Sequence, residues 1–174
     1  MAVADTNHSR AEEIGGALGV PAVDDASALL GEVDAVTVAV PTASHRDVAL
    51  PFLHRGIPAL IEKPLARTLD EADELLAAAE YAGVPLAVGH TERFNPAIVA
   101  AAPLLADPRF IEVHRLGALP DRSLDIDVVF DLMIHDLDVV LSLVPSEIDA
   151  IEAVGVPVLT NRVDIANVRL RFEN

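Results

Sequence analysis

The stretch Leu60-Ile61-Glu62-Lys63-Pro64 ends an apolar run that predicts a buried parallel strand. Lys63 is the only lysine among 174 residues, and the other eleven basic residues are arginines. An ammonium group can exchange a proton, whereas a guanidinium stays charged at any working pH. Because open α/β sheets bind their ligands at the carboxyl ends of the strands, this position favours a reactive amine. The alternative interpretation is a surface lysine without a role.

Around this strand, residues 1–90 alternate between apolar strands and helices. Four β-branched or apolar runs predict strands, at 1–5, 34–40, 58–61 and 85–88. Two helices between them carry the pattern of a capping box, with Ser9 and Glu12 in one and Thr68 and Glu71 in the other. This alternation predicts a mostly parallel sheet with right-handed crossovers, an α/β fold.

Residues 91–174 have a different pattern, so we place a domain boundary near residue 91. The segment 109–116 alternates like an antiparallel strand, and 128–144 predicts a very apolar helix. Two further strands are predicted at 148–158 and 163–172, in a sheet with one solvent-exposed face. This second part is therefore predicted to be α+β.

The composition excludes several classes of protein. A net charge of −16 and a pI near 4.5 argue against a nucleic-acid partner, which requires clustered cations. The absence of cysteine excludes disulfides and thiolate chemistry. No apolar run approaches the roughly 20 residues of a membrane span, and no signal peptide is recognisable, so we expect a cytoplasmic protein.

The helix around residue 135 carries a stripe of acidic and imidazole groups between apolar walls. Asp127, Asp131, His135 and Asp138 share this stripe, with no lysine or arginine one turn away. Such a stripe favours a polar cavity, and Asp131 can hold the His135 ring as in a general base. One alternative is the solvated edge of a buried helix. Another is a metal hydrolase, although a third ligand is not obvious.

The segment Thr42-Ala-Ser-His45 lies at a predicted helix N-terminus beside a strand end. Helix N-termini offer N–H groups to anions or to a ligand amide. For His45 itself, a surface position on the helix is the favoured interpretation.

Three motifs together resemble the Gfo/Idh/MocA oxidoreductases over the whole chain. They are Glu62-Lys63-Pro64, then Gly89-His90 followed by Arg93-Phe94-Asn95-Pro96, then Asp131 with His135. The resemblance implies an NAD(P)-binding Rossmann domain at 1–90 and a substrate-binding α/β domain with an open antiparallel sheet at 91–174. It also implies a dehydrogenase of a sugar or polyol, most similar to enzymes that act on nucleotide sugars.

The resemblance also implies roles for single residues. Lys63 and His135 would flank the substrate carbinol, one of them as general base, and Asp131 would support the histidine. Arg93 and Asn95 would contact the substrate. Four further residues would bind the cofactor, for which Asp5 favours NAD over NADP: Asp5, Thr42, His45 and Glu62.

The departure from the family lies at the beginning of the chain. The first strand and the glycine-rich turn of a dinucleotide fold are not found, and the strand missing between 2–5 and 34–40 is the central one. We therefore expect a chain truncated at both ends, with weak or absent NAD(P) binding by itself and a homo-oligomer in the full-length enzyme. A non-catalytic sugar-binding or dinucleotide-binding protein, or an inactive fragment, is the alternative.

Overall fold

The computed structural model describes residues 1–105, 107–117 and 126–173. The chain divides into two compact units, Met1–Gly89 and His90–Asn174. The first unit is built on parallel strands and the second on an antiparallel pair, so the predicted α/β and α+β parts are confirmed.

The first unit contains a three-stranded parallel sheet in the order β3-β4-β5 and a separate parallel pair, β1-β2. The strands are β1 Val3–Ala4, β2 Ala22–Val23, β3 Val36–Val38, β4 Ala59–Ile61 and β5 Leu86–Val88. Their register aligns Val38, Ile61 and Val88 at the carboxyl ends of the three-stranded sheet. Within residues 1–105, no strand is hydrogen-bonded between β1 and β3, the position where the sequence predicts a missing central strand.

Three helices accompany these strands: α1 His8–Leu18, α2 His45–His54 and α3 Leu69–Ala82. α2 packs on β3 and β4, and α3 packs on α2. The core between them is aliphatic, with Val38, Leu53, Ile61 and Leu75 at most 2% exposed. Burial of these side chains stabilises the unit by about 1.5–3 kcal/mol each.

The helix ends agree with the sequence in one case and differ in the other. The Thr68 hydroxyl accepts a hydrogen bond from the Glu71 N–H, as predicted, and Gly83 ends α3 in the left-handed conformation. The prediction of Ser9 as N-cap of α1 is wrong. Asn7 caps this helix by accepting from the Arg10 N–H, because the helix already begins at His8.

Within its described residues, 90–105, 107–117 and 126–173, the second unit contains two α-helices and a hairpin. They are α4 Pro96–Ala101, α5 Ile134–Leu143, β6 Ile148–Val156 and β7 Ile165–Phe172, with β6 and β7 antiparallel. The long apolar helix is confirmed, but its first part, Val129–Met133, is a π-helix that the sequence pattern does not reveal. The prediction of a strand at 109–116 is wrong, because this segment is irregular in the structure. β6 and β7 pair with each other, and neither is hydrogen-bonded to it as a strand.

The exposed and half-buried residues alternate along β7. Asn167, Arg169 and Arg171 are exposed, while the intervening Val168 and Leu170 are half-buried. One face of β7 is therefore more exposed than the other, as the alternation in the sequence predicts, whereas β6 is exposed on both faces.

Asp164 organises the loop between β6 and β7. Its Oδ2 accepts hydrogen bonds from the backbone N–H groups of Val158, Leu159 and Thr160 at 2.7–2.8 Å, and its Oδ1 accepts from the Thr160 hydroxyl. These bonds, first the backbone bond from Thr160, hold the pKa of the Asp164 carboxyl well below its usual range.

We expect Asp164→Asn to destabilise the protein at pH 7 and to weaken its sensitivity to acid. Because the folded-state pKa of Asp164 is lowered, its contribution is present above the ordinary value of 3.8 and is lost as the pH falls below it. Urea unfolding of both proteins between pH 7 and pH 3 measures the effect. Asp149→Asn, which removes an exposed ion pair with Arg171 on the same hairpin, is the control. Equal loss of stability with pH in the wild type and D164N would contradict the prediction.

Candidate active site

Lys63 leaves the sheet at the carboxyl end of β4. The Glu62 N–H donates to the Val38 carbonyl at 2.9 Å and extends the pairing of β4 with β3 by one residue. The chain then turns through the cis peptide bond between Lys63 and Pro64. The backbone N–H of Lys63 donates to Oε2 of Glu62 at 3.3 Å, so the carboxylate folds back over the start of this turn.

The Glu62 carboxylate occupies the space left by the missing side chain of Gly89. A Cβ atom at Gly89 would lie 3.0 Å from Oε2 and 3.1 Å from Cδ of Glu62. The Gly89 N–H donates to the Ile61 carbonyl at 2.7 Å, which fixes the end of β5 beside the end of β4. Glycine at position 89 therefore allows a carboxylate to lie across two strand ends.

His45 is buried, with 1% of its surface exposed, so the surface position favoured by the sequence is wrong. Its Nδ1 lies 2.9 Å from the Pro64 carbonyl oxygen, and its Nε2 lies 2.9 Å from the Val40 carbonyl oxygen. Thr42, also buried, begins a 3-10 turn over Thr42–Ser44 and does not cap α2 through its side chain. The segment before α2 therefore packs against the turn that carries Lys63.

Asp5 follows β1, in the parallel pair β1-β2. Its N–H donates to the Val23 carbonyl at 3.2 Å, and its Oδ1 accepts from the Asn7 N–H at 2.8 Å. Its Oδ2 lies 3.5 Å from Nε of Arg10, an exposed side chain in the first turn of α1. The carboxylate thus stands at a strand end, directly before a helix.

In the second unit, Asp131 lies in the π-helical segment and His135 in the first turn of α5. Asp127 anchors this helix at its start, where its Oδ1 accepts from the N–H groups of Val129 and Phe130. π-Helical segments occur frequently at functional sites. The Asp127 cap could have been read from the sequence, because an aspartate before an apolar helix is a common N-cap.

One carboxylate of the acidic stripe, that of Asp138, has an arginine partner from outside the helix. Arg93, in the 3-10 turn Thr91–Phe94, donates to both carboxylate oxygens of Asp138. The hydrogen bond to Asp138 raises the pKa of Arg93 further above its ordinary value. Arg115 pairs with Asp136, which lies off this stripe: two guanidinium nitrogens of Arg115 contact Oδ1 of Asp136 at 2.8–2.9 Å. The helix itself carries no basic residue one turn from these carboxylates, and the partner of Asp138 comes from a segment 45 residues earlier in the sequence.

Asn95 caps α4 by accepting from the Ala97 N–H at 3.0 Å, and its amide donates to Oε1 of Glu92. The polar groups of Asn95 and Arg93 therefore have structural partners within the second unit. Their assignment to the substrate stays a prediction.

Within each unit, the structure brings some of the predicted site residues together. Thr42, His45, Glu62 and Lys63 gather at the carboxyl ends of β3 and β4, while Asp5 belongs to the other strand pair. Asp131 and His135 share one helix. Among the residues that the structure describes, no three His, Asp or Glu side chains converge as metal ligands, and no helix is long and apolar enough to cross a membrane.

Comparison with known proteins places this arrangement in a family. A family model described as an oxidoreductase family with an NAD-binding Rossmann fold matches residues 1–90. The chain belongs to the Gfo/Idh/MocA oxidoreductases. The resemblance to this family, which begins with Glu62-Lys63-Pro64, is thereby confirmed.

Individual members of the Gfo/Idh/MocA family match across nearly the whole chain. UDP-N-acetylglucosamine 3-dehydrogenase from Acidithiobacillus ferrooxidans is 41% identical over 173 residues, which are 99% of this chain and 55% of that protein. A solved structure of this dehydrogenase matches with a TM-score of 0.92, at 40% identity, covering 99% of this chain and 57% of its own. An inositol 2-dehydrogenase from an Arthrobacter species is 30% identical over 161 residues, 87% of this chain and 48% of that protein. The chain thus spans about half the length of these relatives.

Proposed function

We propose that these two units work in an NAD(P)-dependent dehydrogenase that removes a hydride from a hydroxyl-bearing carbon of a sugar or polyol. A nucleotide sugar is the favoured substrate. The observation that carries the proposal is the place of the only lysine, at the carboxyl end of β4 beside a carboxylate, in a chain of this family. The 41% identity to a UDP-N-acetylglucosamine 3-dehydrogenase supports the choice of substrate.

Two carboxylates of this chain, those of Asp5 and Glu62, are candidates for contacts with a dinucleotide. Asp5 offers a carboxylate at a strand end, where it could accept hydrogen bonds from the ribose hydroxyls, and this favours NAD over NADP. The carboxylate of Glu62, in the space over Gly89, would line the nicotinamide side, as the family resemblance implies. Within residues 1–105, no glycine-rich turn joins a strand to a helix start, so pyrophosphate contacts are not assigned to this chain.

When bound, NAD(P) supplies the hydride acceptor. The residues of the chain supply the base that accepts the hydroxyl proton. Because the hydroxyl proton must leave nearly together with the hydride, a base has to lie within hydrogen-bond reach of the hydroxyl. We assign this role to Lys63 or His135, with Asp131 holding the histidine ring. If Lys63 is charged during the reaction, it also stabilises the developing alkoxide.

A homo-oligomer stays a prediction for the full-length enzyme. The β6-β7 hairpin offers a surface for it, because Val154, Val156 and Ile165 are exposed apolar side chains on one face. Such exposed apolar positions are typical of contact surfaces.

The enzyme that contains these units, expressed from its native gene, is expected to reduce NAD+ when UDP-N-acetylglucosamine is added. The absorbance of the reduced cofactor measures the reaction, with myo-inositol as a polyol comparison and NADP+ as the second cofactor. We expect the nucleotide sugar to give the higher kcat/KM and NAD+ to be preferred. Absence of turnover with every sugar and polyol, in a folded protein, would refute the proposed function.

A further inference from the structure

Among the residues that the structure describes, His45 is a deeply buried ionisable side chain that the proposed chemistry does not use. It is 1% exposed, it begins α2, and its ring lies between two backbone segments. Its Nε2 contacts the Val40 carbonyl, just after the end of β3. Its Nδ1 contacts the Pro64 carbonyl, in the turn after β4. Pro64 directly follows Lys63, so this second contact reaches the backbone beside the reactive amine.

Both backbone groups beside the His45 ring are carbonyl oxygens, which only accept hydrogen bonds. This limits the contacts that the ring nitrogens can make. A carbonyl oxygen accepts hydrogen bonds, so each ring nitrogen can contact its carbonyl favourably only as an N–H donor. With both nitrogens turned to the backbone at 2.9 Å, the ring has no polar atom left for a ligand. The cofactor-binding role that the family resemblance implies for the His45 side chain is therefore disfavoured by this geometry.

We propose that His45 is a positioning residue that ties the turn bearing Lys63 to the end of β3. Together with the extension of β4 through the Glu62 N–H and the Val38 carbonyl, the ring holds both sides of the Lys63 backbone. The contact to Pro64 carries this effect, and the contact to Val40 anchors the ring. We call the two contacts of the His45 ring, to Pro64 and to Val40, the tether. Its effect on catalysis rests on the proposed dehydrogenase activity, whereas the tether itself does not.

Two amide substitutions separate the two contacts. The Asn side-chain nitrogen stands close to the place of Nδ1, so His45→Asn retains a donor for the Pro64 carbonyl. The Gln side-chain nitrogen stands close to the place of Nε2, so His45→Gln retains a donor for the Val40 carbonyl only. His45→Ala removes the ring and with it both contacts. His54→Ala, at an exposed histidine in the last turn of the same helix, is the matched control.

The tether is tested first without any turnover, by amide hydrogen exchange in peptides that cover residues 61–67. We expect faster exchange in H45A and H45Q than in the wild type, near-normal exchange in H45N, and no change in H54A. Far-UV circular dichroism shows which variants are folded, and only folded variants are compared. Exchange in H45Q that is as slow as in H45N would overturn the assigned role of the Pro64 contact.

In the active enzyme, H45Q is expected to lower kcat by about 10- to 100-fold, as for a misplacement of a reacting group by about 1 Å. The KM for NAD+ should stay within about threefold, because a cofactor contact would instead weaken binding. In a Lys63→Met background, H45Q should cause little further loss, since it acts through Lys63. Additive losses, or a raised KM for NAD+ with kcat unchanged, would overturn the proposal. An inactive wild type would instead refute the proposed function, and the exchange experiment would still decide the tether.

Discussion

Replacing Lys63 with methionine is expected to lower kcat by about 10²- to 10⁴-fold, the usual contribution of a general acid or base. Methionine keeps most of the length and the apolar stem of the side chain but removes the amine. The affinity for NAD+ should remain nearly unchanged, since the cofactor contacts are assigned to other residues. Steady-state assays with the nucleotide sugar measure kcat, and a titration of cofactor fluorescence measures the affinity for NADH.

Lys63→Arg separates proton transfer from charge. A guanidinium retains the positive charge but does not release its proton at working pH. If Lys63 is the base, K63R should be as inactive as K63M, whereas partial activity in K63R would show that the positive charge is the main contribution. A K63M enzyme with more than about one tenth of the wild-type kcat would contradict any role in proton transfer.

The order of strands and helices was predictable because each element carries its own local signal. The β-branched run before Pro41 and the apolar run before Glu62 are too short and too apolar for surface helices, and they form β3 and β4. Thr68 and Gly83 mark the ends of α3, since capping depends on residues close in sequence. The carboxyl ends of parallel strands lie at one edge of the sheet. The position of Lys63 at this edge was therefore also predictable from the sequence.

Contacts between distant segments could not be predicted from the same signals. From its local sequence, His45 is expected on the surface of a helix, but in the structure it is buried beside Val40 and Pro64. Because Pro64 is 19 residues away in the sequence, no local pattern indicates this contact. The ion pair between Arg93 and Asp138 joins residues 45 apart in the sequence, so charge patterns within one helix miss it. Local propensity specifies elements, while long-range packing decides which polar groups remain for a ligand.

The segment 109–116 shows the same limit for strands. Alternation of polar and apolar residues is necessary for a half-buried strand, but a strand also requires a neighbouring edge with free hydrogen-bonding groups. β6 and β7 pair with each other over eight residue pairs, and the 109–116 segment remains irregular. Its Arg115 is instead used in the ion pair with Asp136.

Replacing His135 with asparagine is the second substitution expected to have a large effect, with kcat lowered by about 100-fold or more. The reason is the loss of an imidazole that either takes the hydroxyl proton or orients the hydroxyl. Asparagine retains a polar side chain of similar reach along the helix. Asp131→Asn should lower kcat less, by about 10- to 100-fold, because its role is exerted through the histidine.

The two single substitutions and the double variant, D131N/H135N, test this dependence. If Asp131 acts only by holding His135, the double variant should be no slower than H135N, because the two losses share one step. The pH dependence of kcat/KM in K63M and H135N then identifies the base, since removal of the base abolishes the corresponding limb of the profile. Full activity in H135N, or losses in the double variant that multiply, would show that Asp131 and His135 do not act as a unit.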